Sequence, residues 1–340
     1  MMSRKTLRPR RAADALGESL TERLRADLAS GAADPFAFAR FDSDEAERGG
    51  YSNYSYWGAT LRAFFKNKAA VFFLVLMVAV LAFTVVQPFL PGQKDPILIH
   101  KNELGLPLNN IPPGQQGFIL GTNAIGQDLW ARIWAGTRTS LFIGFSVAVV
   151  EAVVGILMGV LWGYVRKLDF LFTELYNILD NIPQTLLLIL ISYIMKPGVS
   201  TIIFALCLTG WLGMARFIRN QIIIIRDRDY NLASRCLGTS TGRIITKNLL
   251  PYLVSVITMR MALAIPAAIG NEVFVTYIGI GLPADTPSLG NLIATGRSLM
   301  NAAALRYQLF FPVIVLAVIT ISFYMIGNAF ADAADPRNHT

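Results

Sequence analysis

Six predominantly apolar stretches, at 70–90, 140–164, 170–195, 201–225, 252–280 and 308–330, decide most of what this chain can fold into. At about 1.5 Å of rise per residue, each is long enough to cross roughly 30 Å of hydrocarbon as a helix. Lipid offers no water to a bare N–H or C=O, so such stretches cross as helices that satisfy their own backbone. An all-α membrane protein with six transmembrane helices is therefore expected. The fifth stretch contains Pro266, which removes one backbone donor and predicts a kink there.

Composition agrees with a lipid environment. Only 15% of the residues are charged and 54% are hydrophobic, with a mean hydropathy of +0.49, whereas soluble domains carry about 25% charged residues. The net charge of +8 excludes nucleic acid as a partner here, because the basic residues flank apolar stretches and no aromatic stacking motif accompanies them. Cys207 and Cys236 form no CxxC pair, and His100 and His339 lie outside the apolar stretches, so neither a disulfide framework nor a metal site is indicated. No GxxxxGK[ST] loop is present to cradle ATP phosphates, and HExxH and GxSxG are also missing. The first apolar stretch comes too late for a cleavable secretory signal, and none is expected.

Residues 1–50 mix Arg4, Lys5, Arg8, Arg10 and Arg11 with Asp42, Asp44, Glu45 and Glu47, and read as a cytosolic, partly disordered tail. From Tyr51 to Lys68, aromatic residues (Tyr54, Tyr56, Trp57, Phe64, Phe65) alternate with Arg62, Lys66 and Lys68, which suits a helix lying in the headgroup layer. Residues 51–90 thus read as an interfacial helix followed by the first span. Basic residues set the orientation. Arg62, Lys66 and Lys68, then Arg166 and Lys167, then Arg226, Arg228, Arg235, Arg243 and Lys247 all fall on one side. The opposite side is sparser, with Lys94, Lys101, Arg132, Arg138, Lys196, Arg297 and Arg306. The denser side is cytoplasmic, which places both termini inside and makes 91–137 an external loop. The core then occupies 138–332, with a cytoplasmic tail at 333–340.

The loop at 226–250 is the most informative segment. In RDRDYNLASRCLG at 226–238, two helical turns end at Gly238, which permits a left-handed residue, and a second helical piece runs from 243 to 250 before Pro251. A short helix held between two anchored spans is an element that a cytosolic partner can push. An ordinary solvated basic loop accounts for the spacing equally well.

Span two carries Gly155, Gly159 and Gly163, two overlapping GxxxG repeats that let helix backbones approach closely, either within the chain or against a neighbouring chain. Charges at membrane depth usually face a cavity or a partner. Asp180, just before Asn181 and Pro183, is a candidate for the pathway. So is Glu272 toward the outer end of span five, with pairing to a neighbouring chain as its alternative. Arg260, a further candidate for the pathway, lies twelve residues before Glu272, roughly 18 Å along the helix, too far for a direct pair. Arg216 and Arg219 sit close enough to the cytosolic end of span four to snorkel inward.

The spacing Ala233, Gly238 and then Leu249-Leu250-Pro251 resembles the EAA loop of ABC-importer permeases, with Leu232-Ala233-Ser234 in place of Glu-Ala-Ala and Asn248 in place of an aliphatic residue. Further stretches resemble the C-type second permease subunit of the peptide/nickel importers. These are LGTNAIGQDLWAR at 120–132 with GTRTSL at 136–141, WLGMARFIR at 211–219, YIGIGL at 277–282, PSLG at 287–290, GR at 296–297 and DPR at 335–337. Asn123 and Gln127 stand where that subfamily usually has Asp and Arg. The resemblance runs in order over residues 57–337.

It implies a type I ABC importer permease fold, in which 230–238 forms the coupling helix that docks in a groove of the ATPase. Asp229, Tyr230, Ala233, Arg235, Leu237, Gly238 and Pro251 are then the coupling residues. The implied partners are a second homologous permease, two ATPase subunits that bind ATP and Mg, an extracytoplasmic binding protein and a peptide substrate, all at the bacterial cytoplasmic membrane. No cofactor is expected on this chain. The implied cargo is oligopeptide or dipeptide, with nickel or opines as alternatives. An ion-coupled secondary transporter predicts inverted repeats, which 70–195 and 201–330 do not show. An intramembrane enzyme lacks its catalytic motifs.

Overall fold

The structure, a computed structural model, describes residues 56–334. The tail at 1–50, residues 51–55 and the DPR segment at 335–337 lie outside the described residues. All regular elements described are helices: α1 Tyr56–Lys66, α2 Lys68–Val86, α3 Leu129–Tyr164, α4 Arg166–Asp180, α5 Gln184–Ile194, α6 Val199–Arg226, α7 Asp229–Cys236, α8 Thr241–Ile244, α9 Leu250–Tyr277, α10 Leu289–Ser298 and α11 Tyr307–Ala334. Between α2 and α3 the chain makes a 3-10 turn at Gln87–Phe89 and three isolated β-bridges.

Five helices are long and apolar enough to cross a membrane, and the α4–α5 pair makes a sixth crossing if counted as one span. That third crossing differs from the expected continuous helix over 170–195, because α4 and α5 meet at a 75° bend. Asn181 donates to the Asn177 carbonyl and so ends α4. Pro183 then has no N–H with which to continue the ladder. Pro266 behaves otherwise, since α9 runs from Leu250 to Tyr277 with that proline inside it. Neighbouring Ile265, Ala268 and Ile269 are 7%, 4% and 0% exposed, so core packing holds both halves of α9 in place.

The second span also departs from expectation. Helix α3 starts at Leu129 rather than at 140, with Asp128 capping the Trp130 N–H, so the external segment ends before 137. Burial pushes the Asp128 carboxyl above its ordinary range, against the opposing pull of Lys94. The extra turns are amphipathic. Arg132 is 4% exposed and donates to the Pro96 carbonyl and to Gln127. Arg138 reaches the Thr84 carbonyl at 2.9 Å. The polar segment before α3 is fastened to the last helix as well. The Tyr307 hydroxyl donates within reach of the Ile111 and Thr122 carbonyls at 2.9 and 2.8 Å, and Gln308 donates to Asn110 at 2.8 Å.

The α3–α6 contact forms the spine of the bundle, and the three glycines of span two lie in it. A Cβ on Gly155 would meet the Met214 side chain, one on Gly159 would fall 2.6 Å from the Ala215 carbonyl, and one on Gly163 would fall 3.0 Å from Ile218's successor on that face, Ile222. The close approach is thus between helices of the same chain. At the N-terminal end, Asn67 caps α2 by accepting from the Ala69 and Ala70 N–H groups. Phe64 of α1 packs with Ala70, Ala329 and Ala333, so α1 is held against the end of α11.

Candidate coupling surface and pathway residues

Helix α7 is built as a mounted lever. Asp229 lies in its first turn and Arg235 in its last, each matching the sign that the helix dipole favours. Gly238 ends it at φ +77°, with Gly238 N–H donating to the Arg235 carbonyl and Thr239 N–H to the Ser234 carbonyl at 2.9 and 3.0 Å. This is a Schellman closure, and its left-handed residue is the place where glycine is required.

One side of α7 faces the bundle and the other is open. Asn231 is 0% exposed, whereas Tyr230, Leu232 and Leu237 are 51%, 43% and 86% exposed, with Asp229 and Ala233 also on the exposed surface. Leu232 and Leu237 thus give the open side of α7 an apolar edge. Arg235 turns inward, its guanidinium 5.1 Å from the Tyr164 ring.

The mounting of α7 is polar, through its buried residue Asn231. Asn231 donates to the Ile225 carbonyl at 2.9 Å and accepts from Asn248 at 2.9 Å. The aliphatic-to-asparagine departure at 248 thus has a partner that spacing alone does not reveal. Ile218, Ile222, Ile225, Ile244, Leu249 and Leu253 form one buried cluster that joins α6 to α8 and α9. The second helical piece becomes α8, then a single π turn at Ile245–Leu249, then α9 with Pro251 in its first turn. Replacing Asn231 with alanine takes this partner from the Asn248 amide, while the Ile225 carbonyl keeps the Arg228 N–H at 3.1 Å. It is expected to cost about 1 kcal/mol and to raise hydrogen exchange of α7 while leaving the far end of the bundle, around α10, unchanged, as measured by peptide-resolved exchange mass spectrometry.

The three residues proposed for the pathway are not brought together. Asp180 is exposed at the α4–α5 break. Arg260 is exposed on α9, its guanidinium 4.4 Å from the Phe217 ring. Glu272 does not reach the vestibule expected for it in this conformation. It is 0% exposed and accepts from Ser140 at 2.9 Å and from Thr276 at 3.2 Å. The Ser140 oxygen also accepts the Leu289 N–H at 3.2 Å, so this node joins α3, α9 and α10.

Two features escaped the sequence. One is a cleft of about 640 Å³ at the C-terminal end of α9, lined in part by Pro197, Thr276, Gly281, Leu282, Asn291 and Thr295; the YIGIGL and PSLG runs were its signal. The other is an ionic knot at the loop, in which Asp227 bonds Arg166 at 3.3 Å and Arg226 at 3.2 Å. Slight desolvation raises the Asp227 carboxyl, but the Arg226 hydrogen bond and the charges of Arg226, Arg166 and Arg235 outweigh it and hold the group below its usual range.

Long apolar helices, one broken crossing and a short helix held out between two spans define a polytopic membrane permease. The chain belongs to the family described as binding-protein-dependent transport system inner membrane component, whose model matches residues 152–340, and it carries the type I ABC importer permease fold. Residues 55–113 match the N-terminal TM domain of oligopeptide transport permease C. Among similar proteins is the oligopeptide transport system permease protein AmiD of Streptococcus pneumoniae (strain ATCC BAA-255 / R6), 34% identical over 89% of this chain and 97% of that one. The dipeptide transport system permease protein DppC of Bacillus subtilis (strain 168) is 34% identical over 83% and 86%. The oligopeptide transport system permease protein OppC of the same organism is 30% identical over 89% and 96%.

Proposed function

We propose that this chain is one of two homologous permease subunits that together form a path for oligopeptides or dipeptides across a bacterial cytoplasmic membrane. Two separate ATPase subunits bind ATP and magnesium and supply the work, and an extracytoplasmic binding protein delivers the peptide to the outer face. The termini and α7 are cytoplasmic. Closure of the ATPase pair displaces α7, and the buried isoleucine–leucine cluster carries that displacement into α6 and α9, switching access from outside to inside. Asp229, Tyr230, Ala233, Leu237 and Gly238 form or shape the docking surface, and Arg235 and Pro251 fix its mounting. Asp180 and Arg260 face the path, and Glu272 holds the outer halves of α3, α9 and α10 together.

The observation that carries this reading is the exposed apolar edge of α7, at Leu232 and Leu237, on a short helix fixed to its surroundings through buried Asn231. Relatives whose names state oligopeptide or dipeptide transport support the cargo.

Cys236 is exposed on α7 and Cys207 lies within α6, so the native thiol provides the test. A membrane-impermeant maleimide is expected to label Cys236 in inverted vesicles and not in intact cells. Labelling from outside would place α7 beyond the reach of any nucleotide-driven subunit and overturn the reading. Crosslinking of Cys236 to an ATPase subunit, changing with a bound ATP analogue, and loss of labelled-peptide uptake in cells lacking the chain complete the expected result.

A further inference from the structure

Beneath α7 lies a basic pocket of about 320 Å³, lined by Tyr164, Arg166, Arg226, Arg235, Thr239 and Thr241. Three guanidiniums meet there and Asp227 is the carboxylate bonded to them, to Arg166 and Arg226. Arg226 is further committed, donating to the Gly163 carbonyl at 2.7 Å. Arg235 is not satisfied: its Nε is buried with no hydrogen-bond acceptor, and its plane rests on Tyr164. A buried guanidinium N–H without an acceptor is costly and calls for an explanation. Two threonine hydroxyls and an excess of positive charge suit a phosphate, which guanidinium recognises through directed N–H bonds.

Depth decides between a lipid and an acidic protein. Gly163 and Tyr164 are the last residues of α3, Arg166 opens α4, and Arg226 closes α6, so the pocket sits where spans leave the hydrocarbon. It lies on the bundle side of α7, while the apolar edge at Leu232 and Leu237 is the open one. Basic pockets between spans at the cytoplasmic headgroup level are suited to anionic lipid.

We propose that this pocket holds the phosphate of an anionic phospholipid headgroup, with Arg235 and Arg166 as its principal ligands, so that a lipid braces α7 from behind. This rests on the cytoplasmic placement of α7 given above. The lipid braces the lever from the side opposite the ATPase, so α7 is gripped on one face and supported on the other.

The test uses the assembled importer in nanodiscs of phosphatidylcholine with or without phosphatidylglycerol, followed by native mass spectrometry of lipid that survives delipidation. Phosphatidylglycerol is expected to be retained in preference to phosphatidylcholine. Retention should fall by about fivefold in R235Q and again in R166Q, and R235K should recover part of it. Arg166 has a side chain that is 72% exposed, so R166Q reports on binding even if R235Q disturbs folding. Equal retention of the two lipids, or retention unchanged in R166Q/R235Q, overturns the proposal. Arg235-dependent stabilisation by inorganic phosphate alone, without lipid preference, would make this a free-anion site and overturn the lipid source. A carbodiimide crosslink from the R235K variant to an ATPase subunit would assign the pocket to an acidic protein partner. Cys236 labelling stays the independent check on topology, so failure of the lipid proposal is distinguishable from failure of the transport reading.

Discussion

Leucine at Gly159 is expected to abolish accumulation of folded protein in the membrane, the largest effect of any single change considered. The Cβ alone would stand 2.6 Å from the Ala215 carbonyl and 2.7 Å from the Ile218 Cβ. One of these is backbone, so no side-chain rotation relieves the clash and the α3–α6 spine must part. Overpacking a close contact costs about 1–3 kcal/mol when neighbours can adjust. An alanine at Gly159 falls in that range, and the further branched bulk of leucine exceeds it. The graded series is read as thermal unfolding and monodispersity of the chain purified in detergent. Gly213, on the same α6, has nothing within 4 Å of an added Cβ, and alanine there should leave the unfolding temperature unchanged or slightly raised. Equal behaviour of the two alanine variants would remove the spine from the account of the fold.

The second large effect falls on coupling rather than folding. Valine at Gly238 meets no neighbour, since the space around that residue is open, but φ is +77°. A left-handed L-residue costs roughly 1–2 kcal/mol, more for a β-branched side chain, and relaxing it breaks the bonds from Gly238 and Thr239 that close α7. Membrane insertion and unfolding temperature should stay near those of the parent. Peptide taken up per ATP hydrolysed by the complex should fall by about tenfold, a factor that roughly 1.4 kcal/mol supplies. Asparagine, which tolerates the left-handed region, should restore most of the yield. Normal transport by the valine variant would show that the end of α7 carries no load.

What could be read from the sequence divides along a physical line. Hydropathy locates α2, α6, α9 and α11 because a crossing in lipid leaves a long apolar record whatever its neighbours do. It misses the first turns of α3, since Arg132 and Arg138 look like loop residues until their heads find the Pro96 and Thr84 carbonyls. Proline shows the same limit. Pro183 and Pro266 each remove one donor, yet one ends a helix beside polar Asp180 and Asn181 and the other is carried through by a packed core. Depth along a helix was legible for Glu272, but azimuth was not. Whether its carboxyl faces a path or the interior depends on Ser140, which approaches from another helix. The departures at 123 and 127 prove to be matched to each other, the Asn123 amide donating to Gln127 at 2.9 Å. The Gln127 N–H in turn donates to the Asn123 side chain at 2.8 Å, so the two residues close the turn between them.

The strap before α3 is tied to α3 through Arg132 and to α11 through Tyr307 and Gln308, while Arg138 ties α3 itself to the end of α2. A cover riveted along two edges follows the helix ends it is bonded to. Rocking of α3 or α11 would therefore carry the strap along, and a displacement of the strap would load both helix ends at once.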